Sequence, residues 1–503
     1  MTGDCQARFR EKGGVKLPST YSTIDMNRSI FIGREAEVVN LQKYYDSNES
    51  EFVVIYGRRR VGKTFLVKEF FDDKYDFKVT GLYKKPKKVQ LKNFSLALKE
   101  YGFPLKTIPA DWLEAFAALK QLLAGIEPVN KKKVVFIDEL PWLDTPKSDF
   151  LAAFESFWNG WGAQQDDLML VVCGSATTWI AKHLLEDVGG LFNRVARRMY
   201  LLPFSLNETE RYLQSRGFRW SRYDIVQIYM IMGGIPYYLR LLDGTLPLST
   251  NIDNIFFRKK GPLWNEFSVL YETLFGRSEL YLKIINTLAG KKSGLTQSEI
   301  VEGAKVPQNG AFTNALKDLV RCDFIRAYNC FGKKSADITY QLSDYYTLFY
   351  FRFIKDQLNP DEHYWTLTLD NPARAAWAGY SFEQVCKDHL WQIRRALGIN
   401  GVLVSASSWK GQYEGSGAQI DLVIDRRDRV IDICEAKYSI DEFIIDKEYE
   451  GCLRNKLSVF KAATNTKRAV RMVMITTFGV KQNSHSGIVS ANVTMDHLFA
   501  PIE

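Results

Sequence analysis

From about residue 29 to residue 245 the chain alternates short apolar, β-branched runs with longer stretches of helical character. The runs EFVVIYG (51–57), KVVFIDEL (133–140), LMLVVCGS (168–175) and RRMYLLPF (197–204) are the strands. Their spacing predicts a parallel sheet covered by helices. The turn-rich DGTLPLSTNIDN (243–254) closes this domain and opens a mainly helical segment, 246–357. Within it, residues 294–325 read as helix, turn, helix, followed by a hairpin ending in ITYQLSD (338–344), the pattern of a winged helix. A further shift near Leu358-Asn359-Pro360 begins an α/β unit that runs to Glu503. Residues 1–28 lack periodicity and are expected to form a mobile N-terminal arm with no assigned function.

Composition narrows the class. A chain of 503 residues with 46% hydrophobic and 25% charged positions is too long for one ordinary core and too apolar for disorder. The formal charge of +9 favours contact with a polyanion. Seven scattered cysteines without CxxC spacing argue against structural zinc and for a reduced, intracellular protein. The N-terminus has no apolar core of a signal peptide, and no segment is apolar enough to span a bilayer. A cytoplasmic location without membrane partners is expected.

Candidate chemistry begins at GRRRVGKT, Gly57, Arg58, Arg59, Arg60, Val61, Gly62, Lys63 and Thr64, set between an apolar strand and an amphipathic helix. That context suits a phosphate-binding loop, because glycines let successive backbone N–H groups face a phosphate and the helix N-terminus adds positive potential. Lys63 is expected to neutralise β/γ-phosphate charge and Thr64 to coordinate magnesium. The strand VVFIDEL ends in Asp138, the expected magnesium partner, and Glu139, the expected base.

FIGREAE (31–37), the phosphate loop, FIDELPWL (136–143), CGSATTWI (173–180) and GGIPYYL (233–239) together resemble the archaeal-type ATPase family, within the STAND branch of AAA+ proteins. The resemblance covers most of residues 29–245 and implies an AAA+ sheet with a helical lid. It implies that Pro236 and the Phe31–Arg34 segment lie near the adenine and that Ser175 is the sensor at its strand tip. Gly233, Gly234 and Pro236 match the GGxP signature. Among Arg194, Arg197 and Arg198, ahead of MYLLPF, one is a candidate arginine finger, Arg194 first. A finger would demand a neighbouring subunit, hence a homo-oligomer. The plain alternative is arginines that face solvent or pair with carboxylates.

In the C-terminal unit, GAQIDLVIDRRDRVIDICEAKYS (417–439) reads as two strands, with Asp421 on the first and Glu435 and Lys437 on one face of the second. Two carboxylates and a lysine can hold a divalent ion and stabilise charge on a phosphodiester. The upstream helix GYSFEQVCKDHLWQI offers Glu383. A helical Glu, then Asp, then ExK resembles the PD-(D/E)xK nuclease fold over roughly 378–477, a restriction-endonuclease-like α/β domain, with Ile420 where the family usually has Pro. A domain of this kind accompanies archaeal-type ATPases. The resemblance implies Glu383, Asp421, Glu435 and Lys437 as catalytic, with Asp421 and Glu435 ligating Mg2+ or Mn2+.

In the middle segment, residues 307–319 would be the second helix of the motif, with Gln308, Asn309, Thr313, Asn314 and Lys317 free for nucleic acid and Phe312, Leu316 and Leu319 as its core face. Such modules equally pack as structural units. The aromatic run Tyr345, Tyr346, Phe349, Tyr350 and Phe351 reads as core or interface. The expected function is an ATP-binding and hydrolysing STAND-type ATPase that regulates a nuclease-like domain acting on nucleic acid, DNA favoured. The alternative is a signalling or scaffold switch whose C-terminal domain binds nucleic acid or protein without cleavage.

Overall fold

The computed structural model describes residues 31–128, 131–175, 177–185, 195, 197–275, 279–332, 338–357 and 361–502. The expected N-terminal arm and Arg194 lie outside the described residues. The first sheet has five parallel strands, β1 (Glu51–Tyr56), β2 (Phe77–Thr80), β3 (Lys133–Asp138), β4 (Leu168–Gly174) and β5 (Arg197–Tyr200), in the order β2-β3-β4-β1-β5. Because β4 sits between β1 and β3, the chain segments leaving all three emerge side by side at the same sheet edge.

Period-two alternation sorts each strand between two layers. Val53, Ile55, Val134, Phe136, Val171 and Cys173 face one core, and Phe52, Val54, Val135, Ile137, Leu170 and Val172 face the other. The second layer is closed by the helices Lys87–Glu100, Trp112–Ala124 and Phe150–Gly160. Phe94, Trp112, Phe116 and Phe154 are there almost wholly excluded from water. Burial of each such ring contributes about 2–3 kcal/mol, which fixes that layer firmly beneath the sheet.

The first core does not end with the parallel sheet. It runs from Phe31 through the helices Leu206–Ser215 and Arg222–Met232 into the aromatic helix Tyr345–Phe353, the long helix Pro372–Asp388, and on to Phe499. The expected interdomain turn is itself structured. Leu248–Ile252 is helical, and the buried Asp253 carboxylate accepts hydrogen bonds from Trp365 N at 2.7 Å and Thr366 Oγ1 at 2.5 Å. A buried carboxylate needs such donors, and it thereby pins residues 364–367 onto the middle of the chain.

In the middle segment, β6 (Leu295–Thr296), β7 (Ile325–Asn329) and β8 (Ile338–Leu342) form an antiparallel sheet, order β6-β8-β7, beside helices Glu279–Ala289, Gln297–Ala304 and Gly310–Arg321. The last helix starts three residues after the expected Pro307. Asn309 is its cap, its Oδ1 accepting from Phe312 N at 3.0 Å, so that side chain serves the helix end rather than a ligand.

The C-terminal sheet is mixed: β9 (Val404–Tyr413), β10 (Ser416–Arg426) and β11 (Val430–Lys437) are antiparallel neighbours, and β12 (Ala469–Thr476) and β13 (Ala491–Thr494) follow in parallel. Helix Pro372–Asp388 covers one face and helix Lys447–Thr464 the other. Among the described residues no helix is long and apolar enough to cross a membrane.

Candidate functional site

The loop between β1 and helix Lys63–Phe70 wraps tightly because three of its residues take positive φ: Gly57 at 136°, Arg60 at 72° and Gly62 at 94°. At Gly57 a Cβ would stand 2.5 Å from Leu201 O, so only glycine lets β5 run this close. Lys63 is buried at the helix start and donates to Gly57 O at 3.0 Å and Arg58 O at 2.8 Å, which holds its ammonium at the loop mouth. Burial lowers its pKa, while Glu139 and Asp138 oppose that shift.

Two strands away, Asp138 ends β3. Its Oδ2 accepts from Thr64 Oγ1 at 2.9 Å, so a hydroxyl and a carboxylate, both hard oxygen donors, share one point and could hold magnesium. Glu139 adopts a left-handed backbone, φ 47°, that turns its side chain toward the tip of β4. There Ser175 donates to it twice, from N at 3.1 Å and from Oγ at 3.0 Å. Burial raises the pKa of both acids, and these hydrogen bonds act in the opposite direction. The arrangement can accept a proton from a water beside a bound phosphate.

At the GGIP turn, Gly234 has φ 66°, and a Cβ there would meet Phe204 O at 2.1 Å. The Phe204 N–H donates to Gly234 O at 2.9 Å, so the GGIP turn is stitched to the exit of β5. Pro236 opens the short helix Pro236–Leu239. Arg34, buried, donates to Val61 O at 3.0 Å and Leu202 O at 2.8 Å, joining the FIGRE segment to the phosphate loop. A cavity of about 520 Å³ opens between Arg34, Glu37, Arg58, Pro203 and Gly233, roofed by Asp344 and His389 from later in the chain.

Residues 31–242 match the family described as an ATPase domain predominantly from Archaea. This part of the chain is an archaeal-type ATPase domain. An uncharacterized protein of Methanocaldococcus jannaschii is 25% identical over 400 residues, 78% of this chain and 84% of that protein. An uncharacterized ATP-binding protein of the same organism is 40% identical over 45 residues, 9% of this chain and 76% of that protein. Among solved structures, the Walker-type ATPase PABY2304 of Pyrococcus abyssi aligns with TM-score 0.45 and 18% identity, over 64% of this chain and 97% of its own. The Aeropyrum pernix ORC2 protein aligns with TM-score 0.40 and 14% identity, over 70% and 99%.

The side chains of the ATPase domain's three loop arginines reach away from the loop. Arg58 is buried and ion-paired with Asp344, which caps helix Tyr345–Phe353, and its guanidinium lies 4.9 Å from the Phe324 ring. Burial by itself would lower its pKa, but the charge and hydrogen bond of Asp344 outweigh that and raise it. Arg59 donates to Thr273 Oγ1 at 2.7 Å. Arg60 pairs with Glu266 and stacks 4.3 Å from Tyr237. All three guanidinium groups reach outward to the middle segment, which leaves the backbone of 58–60 to line the loop. Nothing in the motif signalled Glu266, Thr273 or Asp344; the only cue was the S-D preceding the aromatic helix.

The finger candidates divide. Arg197 sits at the N-terminal end of β5, opposite the loop, and donates from Nε at 2.9 Å to the buried Glu51. That bidentate pair neutralises Glu51 and leaves Arg197 on the wrong edge of the sheet for a phosphate. Arg198 is exposed on the same strand.

In the C-terminal sheet, Asp421 stands one step beyond the Leu422–Cys434 pairing and Glu435 one step beyond on the partner strand, which places them opposite each other. The register against β9 shifts between Ile420 and Val423, an irregularity that re-aims Asp421. Burial first, then Asp421 and Glu435, raise the pKa of Glu383, so the three acids share one field. Glu435, however, accepts from Lys456 Nζ at 2.6 Å and lies 3.6 Å from Lys437 Nζ. Asp421 accepts from Gln419 Nε2 at 2.9 Å. Among the described residues no group of three or more His, Cys, Asp or Glu is arranged to hold a metal ion. Lys456, absent from the expected set, lies on helix Lys447–Thr464 and carries no motif of its own.

Proposed function

We propose that the chain is an ATP-driven switch in which the nucleotide state of the ATPase domain sets the arrangement of a winged-helix module, 246–357, and of a restriction-endonuclease-like module, 358–503, that acts on DNA. The observation that carries this reading is the triple tether of Arg58, Arg59 and Arg60 to Asp344, Thr273 and Glu266. A loop that tightens on phosphates pulls on all three contacts, so occupancy is transmitted directly to the modules beyond. The Thr64–Asp138 and Ser175–Glu139 hydrogen bonds and the hold of Arg34 on Val61 O support a nucleotide with its phosphates on 57–64, Mg2+ on Thr64 and Asp138, Glu139 as base, Ser175 as sensor and the adenine near Arg34 and Pro236.

Three helices beside the β6-β8-β7 sheet support the winged-helix reading. Antiparallel β9-β10-β11 with Glu383, Asp421, Glu435 and Lys437 at one end supports the nuclease-like one. In that site Asp421 and Glu435 would hold Mg2+ or Mn2+, with Lys456 displaced from Glu435. The test is plasmid nicking with manganese, with and without ATP, beside Lys437→Ala. Nicking lost in the variant supports cleavage, and intact plasmid under every nucleotide removes it.

A second reading, a signalling or scaffold switch that cuts nothing, is favoured by the two lysines that neutralise Glu435. On that reading Lys456→Met leaves manganese binding absent as well as nicking. A cytoplasmic protein without membrane partners fits both readings, and a homo-oligomer would follow only if Arg194 reaches a neighbour's nucleotide.

A further inference from the structure

Between Lys78 and Lys99 the chain carries seven lysines and not one aspartate or glutamate. Lys78 pairs with Asp73 and Lys84 with Glu272, but Lys85, Lys87, Lys88, Lys92 and Lys99 have no carboxylate partner among the described residues. Lys85, Lys88, Lys92 and Lys99 are exposed and Lys87 is partly so. Helix Lys87–Glu100 has no acid in its first turn, so Lys87 and Lys88 add to the positive end of its dipole instead of offsetting it. This placement costs helix stability, and an anion arriving from outside would relieve it.

The segment is held rigidly. Gln90 is fully buried and donates from Nε2 to Leu82 O at 2.7 Å and Trp142 O at 2.8 Å, while its Oε1 accepts from Leu82 N at 3.1 Å. Tyr83 packs on Trp142 with ring centroids 5.3 Å apart. The lysines therefore stand on a fixed platform just beyond Glu139, on the edge of the sheet where the phosphate loop also emerges.

We infer that Lys85, Lys87, Lys88 and Lys92 form a docking surface for the phosphate backbone of a nucleic acid. The inference deepens the reading of the chain as a DNA-acting ATPase and rests on it. A membrane is the poorer occupant, because an interfacial helix inserts an apolar face and here that face is spent inside the core: Leu91, Phe94 and Leu98 are 3%, 0% and 0% exposed. The exposed Val89 and Leu96 are too few to insert. Repeated charge with only isolated exposed apolar side chains suits a backbone read for charge and not for sequence.

The experiment is fluorescence anisotropy of the full chain with a labelled DNA duplex across a salt series. The variant combines Lys85→Gln, Lys87→Gln, Lys88→Gln and Lys92→Gln, with Lys317→Gln on helix Gly310–Arg321 as control. All four side chains lie outside the core, so ATP binding stays unchanged and the melting temperature does not fall; relief at the helix N-terminus can only raise it. The quadruple variant is expected to lose affinity on the order of 1,000-fold at 0.1 M salt, with a log–log salt slope shallower by about 3.6, against about 0.9 for the control. An unchanged slope in the quadruple variant overturns the surface and leaves the wider DNA reading standing. Wild-type protein that binds no duplex at low salt overturns both. Tighter binding to phosphatidylserine vesicles than to DNA, abolished in the quadruple variant, overturns the choice of nucleic acid.

Discussion

The ATP-side cluster and the C-terminal cluster each bring carboxylates and a lysine together, but they satisfy those charges differently. Asp138 and Glu139 are held by a hydroxyl and an amide, from Thr64 and Ser175, while Lys63 is held by backbone carbonyls. Neutral partners orient a charged group without cancelling it, so each charge stays available to a phosphate, a metal ion or a water. Glu435 is instead held by two ammonium groups, Lys456 and Lys437. An opposite charge at that range neutralises the carboxylate and must leave before a cation can enter. The carboxylates of the first cluster keep their charge uncancelled by a direct ion pair, and Glu435 in the second does not.

The largest expected effect lies on the tether between the ATP site and the rest of the chain. Asp344→Ala leaves the buried Arg58 without its partner and is expected to lower stability by about 3–5 kcal/mol, read by denaturant melts. A loss below 1 kcal/mol would mean the pair is not buried in solution. Next comes Lys63→Ala, expected to weaken ATP about 100-fold by calorimetry, roughly 2.7 kcal/mol, with the fold intact. Unchanged affinity would remove the phosphate loop from the nucleotide site.

Glu435→Gln sharpens the contrast, because Lys456 and Lys437 are partly exposed and rehydrate once released. The expected cost is about 1 kcal/mol or less in the same melts. A cost as large as that of Asp344→Ala would make the two clusters equivalent. The smallest effect is a pH dependence at His389, buried with Nδ1 toward Val385 O at 2.8 Å and Nε2 accepting from Leu206 N at 3.0 Å. Burial lowers its pKa below 6.5, so the folded state binds fewer protons than the unfolded chain as pH falls through that value. Its stabilising contribution is complete above pH 6.5 and declines on acidification toward the folded pKa. His389→Gln, which keeps an acceptor for Leu206, should flatten that decline; an equal slope in both proteins would assign it elsewhere.

Much of the ATP-side geometry is legible from local pattern. The strand runs of β1, β3, β4 and β5 are visible as β-branched stretches, and the close approach of Gly234 to Phe204 is what a paired glycine before proline announces. The middle helix begins three residues later than its pattern predicts, because Asn309 can be read as a polar contact or as a cap, and only the formed helix end distinguishes them. The turn at 243–254 looked like a linker because its polar residues suit loops; in the fold Asn251 and Asp253 turn inward and bind backbone.

The sequence by itself determined the elements whose chemistry is contiguous: a loop that presents backbone N–H groups, a carboxylate at a strand end, a helix start with Lys63 and Thr64. Backbone geometry there follows from neighbouring residues, so a short motif suffices. Only the tertiary structure decided which charges are spent. Arg58 lies 286 positions from Asp344, Arg59 lies 214 from Thr273, Arg197 lies 146 from Glu51, and Lys456 reaches Glu435 from a separate helix. A side chain's charge is written in its residue type, but its partner depends on how whole elements dock, and docking is set by the shared apolar core rather than by either member of the pair.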